Sequence, residues 1–116
     1  MVESAAGRYK VRLLVKERDG DLRIEGRDQQ EWVAAERVRP VQPADQRWGP
    51  TLGESCEFLY LDGWWPVRAK RMHKTKTEGE KWEVVYEAYG NSHRATRDKL
   101  RPIRVWDDVT KAFREP

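Results

Sequence analysis

Between residues 53 and 103, apolar and polar positions alternate in short runs broken by Gly, Asp and Pro. GESCEFLY (53–60), WWPVRAKRMH (64–73), WEVVYEAY (82–89) and HRATR (93–97) each read as a strand with one buried face. LDG (61–63), the polar stretch KTKTEGE (74–80) and YGN (89–91) supply the turns between them. KLRPI (99–103) is a fifth strand or a tight turn, because Pro102 has no N–H to give to a central ladder. Five short strands joined by tight turns predict a small bent barrel.

The phrase that closes this unit occurs twice. Glu36-Arg37-Val38-Arg39-Pro40-Val41 and Asp98-Lys99-Leu100-Arg101-Pro102-Ile103 share the order acidic, basic, aliphatic, Arg, Pro, aliphatic. Each follows a strand-like segment, YKVRLLV (9–15) in one case and KWEVVYEAY (81–89) in the other. Such a repeat predicts two copies of one β unit. With Tyr9 set against Trp82, Leu13 falls where Tyr86 stands, and the first copy has no room for two opening strands. The expected organisation is a partial first unit over 1–43, a linker over 44–52, a complete second unit over 53–104 and a tail over 105–116. In the tail, Val105, Val109 and Phe113 recur at four-residue spacing and Asp107 can cap, which predicts a short helix. The fold class is thus all-β, tandem small barrels with the first incomplete, followed by a short C-terminal helix. An uncovered edge on the first unit would invite self-association.

Composition narrows the picture. Hydrophobic residues make up 38% of the chain and charged residues 37%, so the core must be thin, and six tryptophans supply much of its area. The formal charge of +3, from 23 basic and 20 acidic side chains, permits nucleic-acid binding without demanding it. No apolar run approaches membrane-spanning length, and no signal-peptide pattern opens the chain. Cys56 stands alone, which suits a reducing compartment, cytosol or nucleus.

Candidate chemistry gathers on aromatic rings. Alternation along 82–89 puts Trp82, Val84 and Tyr86 on one face, and the turn at Gly90 can bring Tyr89 beside Tyr86. Tyr60 ends the first strand and Trp65 follows the next turn, at the same end of the barrel. These four rings can wall a pocket for a methylated ammonium or guanidinium. Each face attracts a cation, and methyl groups weaken the hydration that holds unmodified lysine in water. Asp62, Glu87 or Asn91 can accept a remaining N–H. Trp64, next to Trp65 and so facing the other way, is expected between the units, as is Trp48; Trp32 and Trp82 are expected in the core or an interface.

CEFLYLDGWWPVRA and WEVVYEAYGNSHRATRDKLRPI resemble a Tudor domain of the Royal superfamily, particularly the plant Agenet and fragile-X-type tandem versions. The shared marks are an aromatic before the DG turn, the WW start of strand two, YxxYGN and the closing LRP. The resemblance spans roughly 53–103, with 8–43 as a partial repeat. It implies a non-enzymatic nuclear reader of methylated lysine or arginine on histone tails, with the cage at Tyr60, Trp65, Tyr86 and Tyr89 and the family asparagine at Asn91. No cofactor is implied. The first unit, without YGN, reads as scaffold.

Two other functions fit the residues. Arg68, Lys70, Arg71, Lys74 and Lys76, with His73, make a basic stretch that can contact phosphates of DNA or RNA. The rings can also anchor an unmethylated protein partner. Enzymatic signatures are missing from the sequence: His73 and His93 lack partners at metal-ligand spacing, Cys56 reads as a buried structural thiol, and there is no Gly-rich phosphate loop.

Overall fold

The computed structural model describes residues 2–4, 10–18, 21–26, 30–34, 37–61 and 63–116. The N-terminal sheet contains β1 (Val2–Ser4), β2 (Lys10–Arg18), β3 (Asp21–Glu25), β4 (Gln30–Ala34) and β5 (Val38–Pro40). The C-terminal sheet contains β6 (Ser55–Tyr60), β7 (Gly63–Thr75), β8 (Gly79–Tyr86), β9 (Ser92–Ala95) and β10 (Leu100–Arg101). A 3-10 turn, Arg97–Lys99, precedes β10.

The two sheets have one topology. The strand orders are β5-β1-β2-β3-β4 and β10-β6-β7-β8-β9, with the last strand beside the first in each. The repeated phrase occupies β5 and β10, as a duplication requires. The first unit is therefore not missing its opening strands: Val2–Ser4 is strand one and Lys10–Arg18 is strand two, not three. Setting Tyr9 against Trp82 matches strand two of the first unit, Lys10–Arg18, to strand three of the second, Gly79–Tyr86. Alternation marks a segment as a strand but does not number it, because strand number is fixed by pairing and not by local pattern. With the first unit supplied with its own β1, the reason for expecting self-association there disappears.

Register makes the equivalence residue by residue. Arg39 pairs with Glu3 as Arg101 pairs with Glu57, and Val2 with Val11 as Cys56 with Val67. Both second strands are bulged a few residues later, between Leu14 and Glu17 and between Ala69 and Arg71. Such bulges sharpen strand bend. The second core packs Cys56, Phe58, Val67, Ala69, Trp82, Val84, Ala95 and Leu100, with Trp48 against it. Ala95 lies opposite Trp82 in the ladder, a small residue making room for the indole. Trp32 is a correction: it pairs with Arg23, whose guanidinium sits 5.4 Å from the ring centroid, on the face away from buried Ile24.

The join between units is ionic. Glu3, 1% exposed, accepts hydrogen bonds from Arg39 Nε (3.0 Å), Arg101 Nη1 (2.7 Å) and Arg101 Nη2 (3.2 Å). Glu57 accepts from Arg101 Nε at 2.9 Å and lies 4.0 Å from Arg39. The duplicated Glu/Arg pairs thus interlock, each unit supplying one of each. Gln42 completes the set, accepting from Arg39 and donating to the Pro102 carbonyl. Burial raises the Glu3 carboxyl pKa, but the hydrogen bond from Arg101, the charges of Arg101 and Arg39 and the Gln42 N–H outweigh it, leaving the group below its ordinary 4.5. Trp64 lies here as expected, its ring 4.3 Å from the Arg101 guanidinium.

The tail is not a helix. β11 (Val105–Asp107) and β12 (Ala112–Arg114) form a hairpin in which Trp106 pairs with Phe113. The capping residue was legible, but it caps a turn: Asp107 Oδ1 accepts from the N–H groups of Val109 and Thr110. Those bonds, not burial, hold its carboxyl low. Val109 is left in the loop, exposed, so the four-residue spacing was coincidental.

Candidate functional site

Antiparallel pairing brings the ends of β6 and β8 and the starts of β7 and β9 to one end of the second sheet. On β8, Trp82 and Val84 enter the core, and Tyr86, two residues further, stands at its rim. On β6, Phe58 is buried and Tyr60, two residues on, is 42% exposed. On β9, His93 lies opposite Val84 and so joins the same face.

Four rings meet there. Tyr60 lies 6.4 Å from Tyr86 and 5.2 Å from His93, and Tyr86 lies 5.2 Å from His93. Phe58 underlies them at 5.7–6.3 Å. The Tyr60 and Tyr86 rings meet edge to face, their planes inclined at 67°. Burial, then the neighbouring Tyr60, pushes the Tyr86 hydroxyl pKa up, and that buried hydroxyl has no hydrogen-bond partner among the described residues.

The other expected site residues are placed differently. Trp65 is on the Phe58 face by register, and its indole N–H donates to the Tyr60 carbonyl at 3.0 Å, bracing the turn. Tyr89 is 80% exposed on the β8–β9 turn, and no described ring contact includes it. Glu87 is turned to the opposite face, hydrogen-bonded to the Ser55 hydroxyl and 3.9 Å from Arg68. Asn91 closes the turn through its backbone, its carbonyl accepting from Tyr86 N–H at 3.0 Å. Asp62 lies outside the described residues.

His93 was missed as a ring. The sequence offers the signal: in HRATR it shares a face with Ala95, a natural core position, whereas metal-ligand spacing is the wrong test for a histidine that acts as a ring. Phe58 was visible as core. In the first unit the register sets Ser4 and Glu31 at the places of Phe58 and His93, and carried one residue past the Arg12–Glu25 pair it sets Gly26 at that of Tyr86. That unit carries no equivalent cluster at these positions, because of Gly26 rather than Leu13.

Elsewhere, Arg71 pairs with Glu83 at 2.8 Å, while Lys70, Lys74 and Lys76 are exposed. Two of the five candidate phosphate contacts are thus already offset by carboxylates. Cys56 is buried, and burial with the charges of Glu57 and Glu87 pushes its thiol up to about 12. A cavity of about 550 Å³ lies at the unit junction, lined by Trp48, Trp64, Gln42, Arg97 and Leu100 among others. Among the described residues no three His, Cys, Asp or Glu side chains gather as a metal site.

No protein-family model and no curated protein matches the sequence. Solved structures do. The crystal structure of ADCP1 tandem Agenet domain 3-4 superposes with a TM-score of 0.83 at 19% identity, covering 99% of this chain and 84% of that one. The AGD34 fragment of AGDP1 from Arabidopsis thaliana gives 0.83 and 19% over 99% and 86%. At this identity the likeness is one of architecture, and it extends over both sheets and the join between them. The chain has the tandem Agenet fold.

Proposed function

We propose that this chain reads a methylated lysine, or a methylated arginine, on a histone-tail peptide, through the ring cluster of the second unit. The observation that carries the reading is the meeting of Tyr60, Tyr86 and His93, from three different strands, over Phe58 at a partly open end of the sheet. A fold needs rings in its core; it does not need three at the rim with a tyrosine hydroxyl left unsatisfied. Each ring face offers a cation about 0.5–2 kcal/mol. Unmodified lysine loses more hydration on entry than its methylated forms, so the same walls discriminate between them.

The resemblance to Tudor and Agenet domains supports the same class of ligand. Within the proposed cage, Tyr60 and Tyr86 are the walls, His93 closes the third side, Phe58 is the floor and Trp65 positions Tyr60. Glu87, engaged by Ser55 and Arg68 on the opposite face, does not serve as the acceptor for a remaining N–H. A histone ligand implies a nuclear protein.

Calorimetric titration with trimethylated and unmethylated forms of one histone peptide tests the reading. We expect at least about a tenfold preference for the methylated form. Tyr60→Ala is the cleaner variant, because Tyr60 is more exposed than Tyr86, and it should erase the preference without unfolding the chain. Equal affinity for both peptides would show a methylation-independent docking surface instead.

A further inference from the structure

Leu61 combines two properties that folding disfavours. The residue is 64% exposed, and its backbone holds φ at +50°. That is the left-handed region, which residues with a Cβ enter at a cost and glycine enters freely. Tyr60 and Gly63 are the last pair of β6 and β7, so Leu61 is the first residue of a two-residue hairpin loop. That position normally goes to Asn, Asp or Gly. Lys111, at φ +55°, is the other described non-glycine with this backbone, but it is a polar residue in an exposed loop, paired with Asp108. A leucine there needs a different reason.

The strain is held by its surroundings. The Tyr60–Gly63 pair closes the loop and the Trp65 indole grips the Tyr60 carbonyl next to Leu61. Strain maintained in this way concentrates where a protein meets its ligand. Leu61 adjoins Tyr60, a wall of the ring cluster, and Tyr89 projects from the other turn at the same end. Apolar side chains left exposed at the rim of a pocket are surface that a bound chain can cover.

We infer that Leu61 is a specificity residue: with Tyr89 it forms an apolar lip that covers an apolar residue flanking the methylated one in a bound peptide. This rests on the methyl-cation reading of the ring cluster. It makes the ligand a peptide with an aliphatic or aromatic neighbour beside the methylated residue, not a free methylated cation. The leucine is then retained for binding, against the interest of the turn.

Two probes separate the lip from the cage: free Nε-trimethyllysine, and a ten-residue peptide carrying trimethyllysine between two leucines. Leu61→Gly and Leu61→Asn relax the backbone, so neither should melt below the wild type. Both should lose about tenfold in affinity for the peptide, as expected for uncovering part of a leucine, and stay within about twofold for the free amino acid. Leu61→Met should keep the peptide affinity. An unchanged peptide affinity in both relaxed variants overturns the lip while leaving the cage standing. Failure of the wild type to bind either probe overturns the cage and the lip with it.

Discussion

Glu3→Gln is the substitution on which the join between the units turns. The carboxylate is fully buried and receives bonds from both arginines, at 2.7 Å, 3.0 Å and 3.2 Å, and from the Gln42 N–H at 3.3 Å. Breaking a buried ion pair by removing one charge costs about 3–5 kcal/mol, because the partner is left uncompensated. Here the partners are not stranded. Arg101 keeps Glu57 at 2.9 Å, and Arg39 keeps the Arg104 carbonyl at 2.7 Å and Gln42 at 3.1 Å. The expected loss is therefore about 2–3 kcal/mol, read at pH 7 from urea unfolding by tryptophan fluorescence. Because folding holds the Glu3 pKa below its ordinary 4.5, its stabilisation is complete above that value and fades as pH falls through the lower folded value. Wild type and variant should converge in acid. A loss under about 0.5 kcal/mol at pH 7, or a difference that does not shrink in acid, would refute the reasoning.

Three further outcomes follow from the structure. Phe113→Ala removes a ring 5.1 Å from Trp106 and 5.0 Å from the Arg39 guanidinium, and should cost about 1–2 kcal/mol in thermal or urea unfolding. Cys56, with its thiol pushed up to about 12, should resist a thiol reagent at pH 8 until urea opens the core; immediate labelling of the native protein would contradict the packing. Reversing the charge of Lys70, Lys74 and Lys76 should leave methyl-peptide affinity within about twofold, since the cage discriminates by its ring faces. Any duplex-DNA binding measured at low salt should fall sharply in that variant.

Much of the second sheet was legible along the chain, because its strands alternate and its turns are marked by Gly and Asp. Trp82, Val84 and Tyr86 lie on one face by the two-residue period alone. Trp64 and Trp65 had to face apart, being adjacent. The ring cluster was only half legible. Tyr60 and Tyr86 follow from alternation, but His93 depends on which residue of β9 lies beside Val84, a register that no local pattern encodes. Tyr89 and Glu87 show the limit from the other side. Both follow Tyr86 closely in sequence, yet the turn leaves one ring in solvent and sends the carboxylate to Ser55 and Arg68.

By itself, then, the chain's pattern determined the all-β class, the duplication and the faces of the strands, since these depend on neighbours within a few residues. Tertiary structure decided the rest. It made Val2–Ser4 the first strand of a complete unit, because strand number depends on what pairs with what. It also turned the repeated Arg-Pro phrase into an interlocked pair of buried ion pairs. A buried guanidinium must find carboxylates wherever the fold brings them, and Glu3 and Arg101 are brought together from opposite ends of the chain.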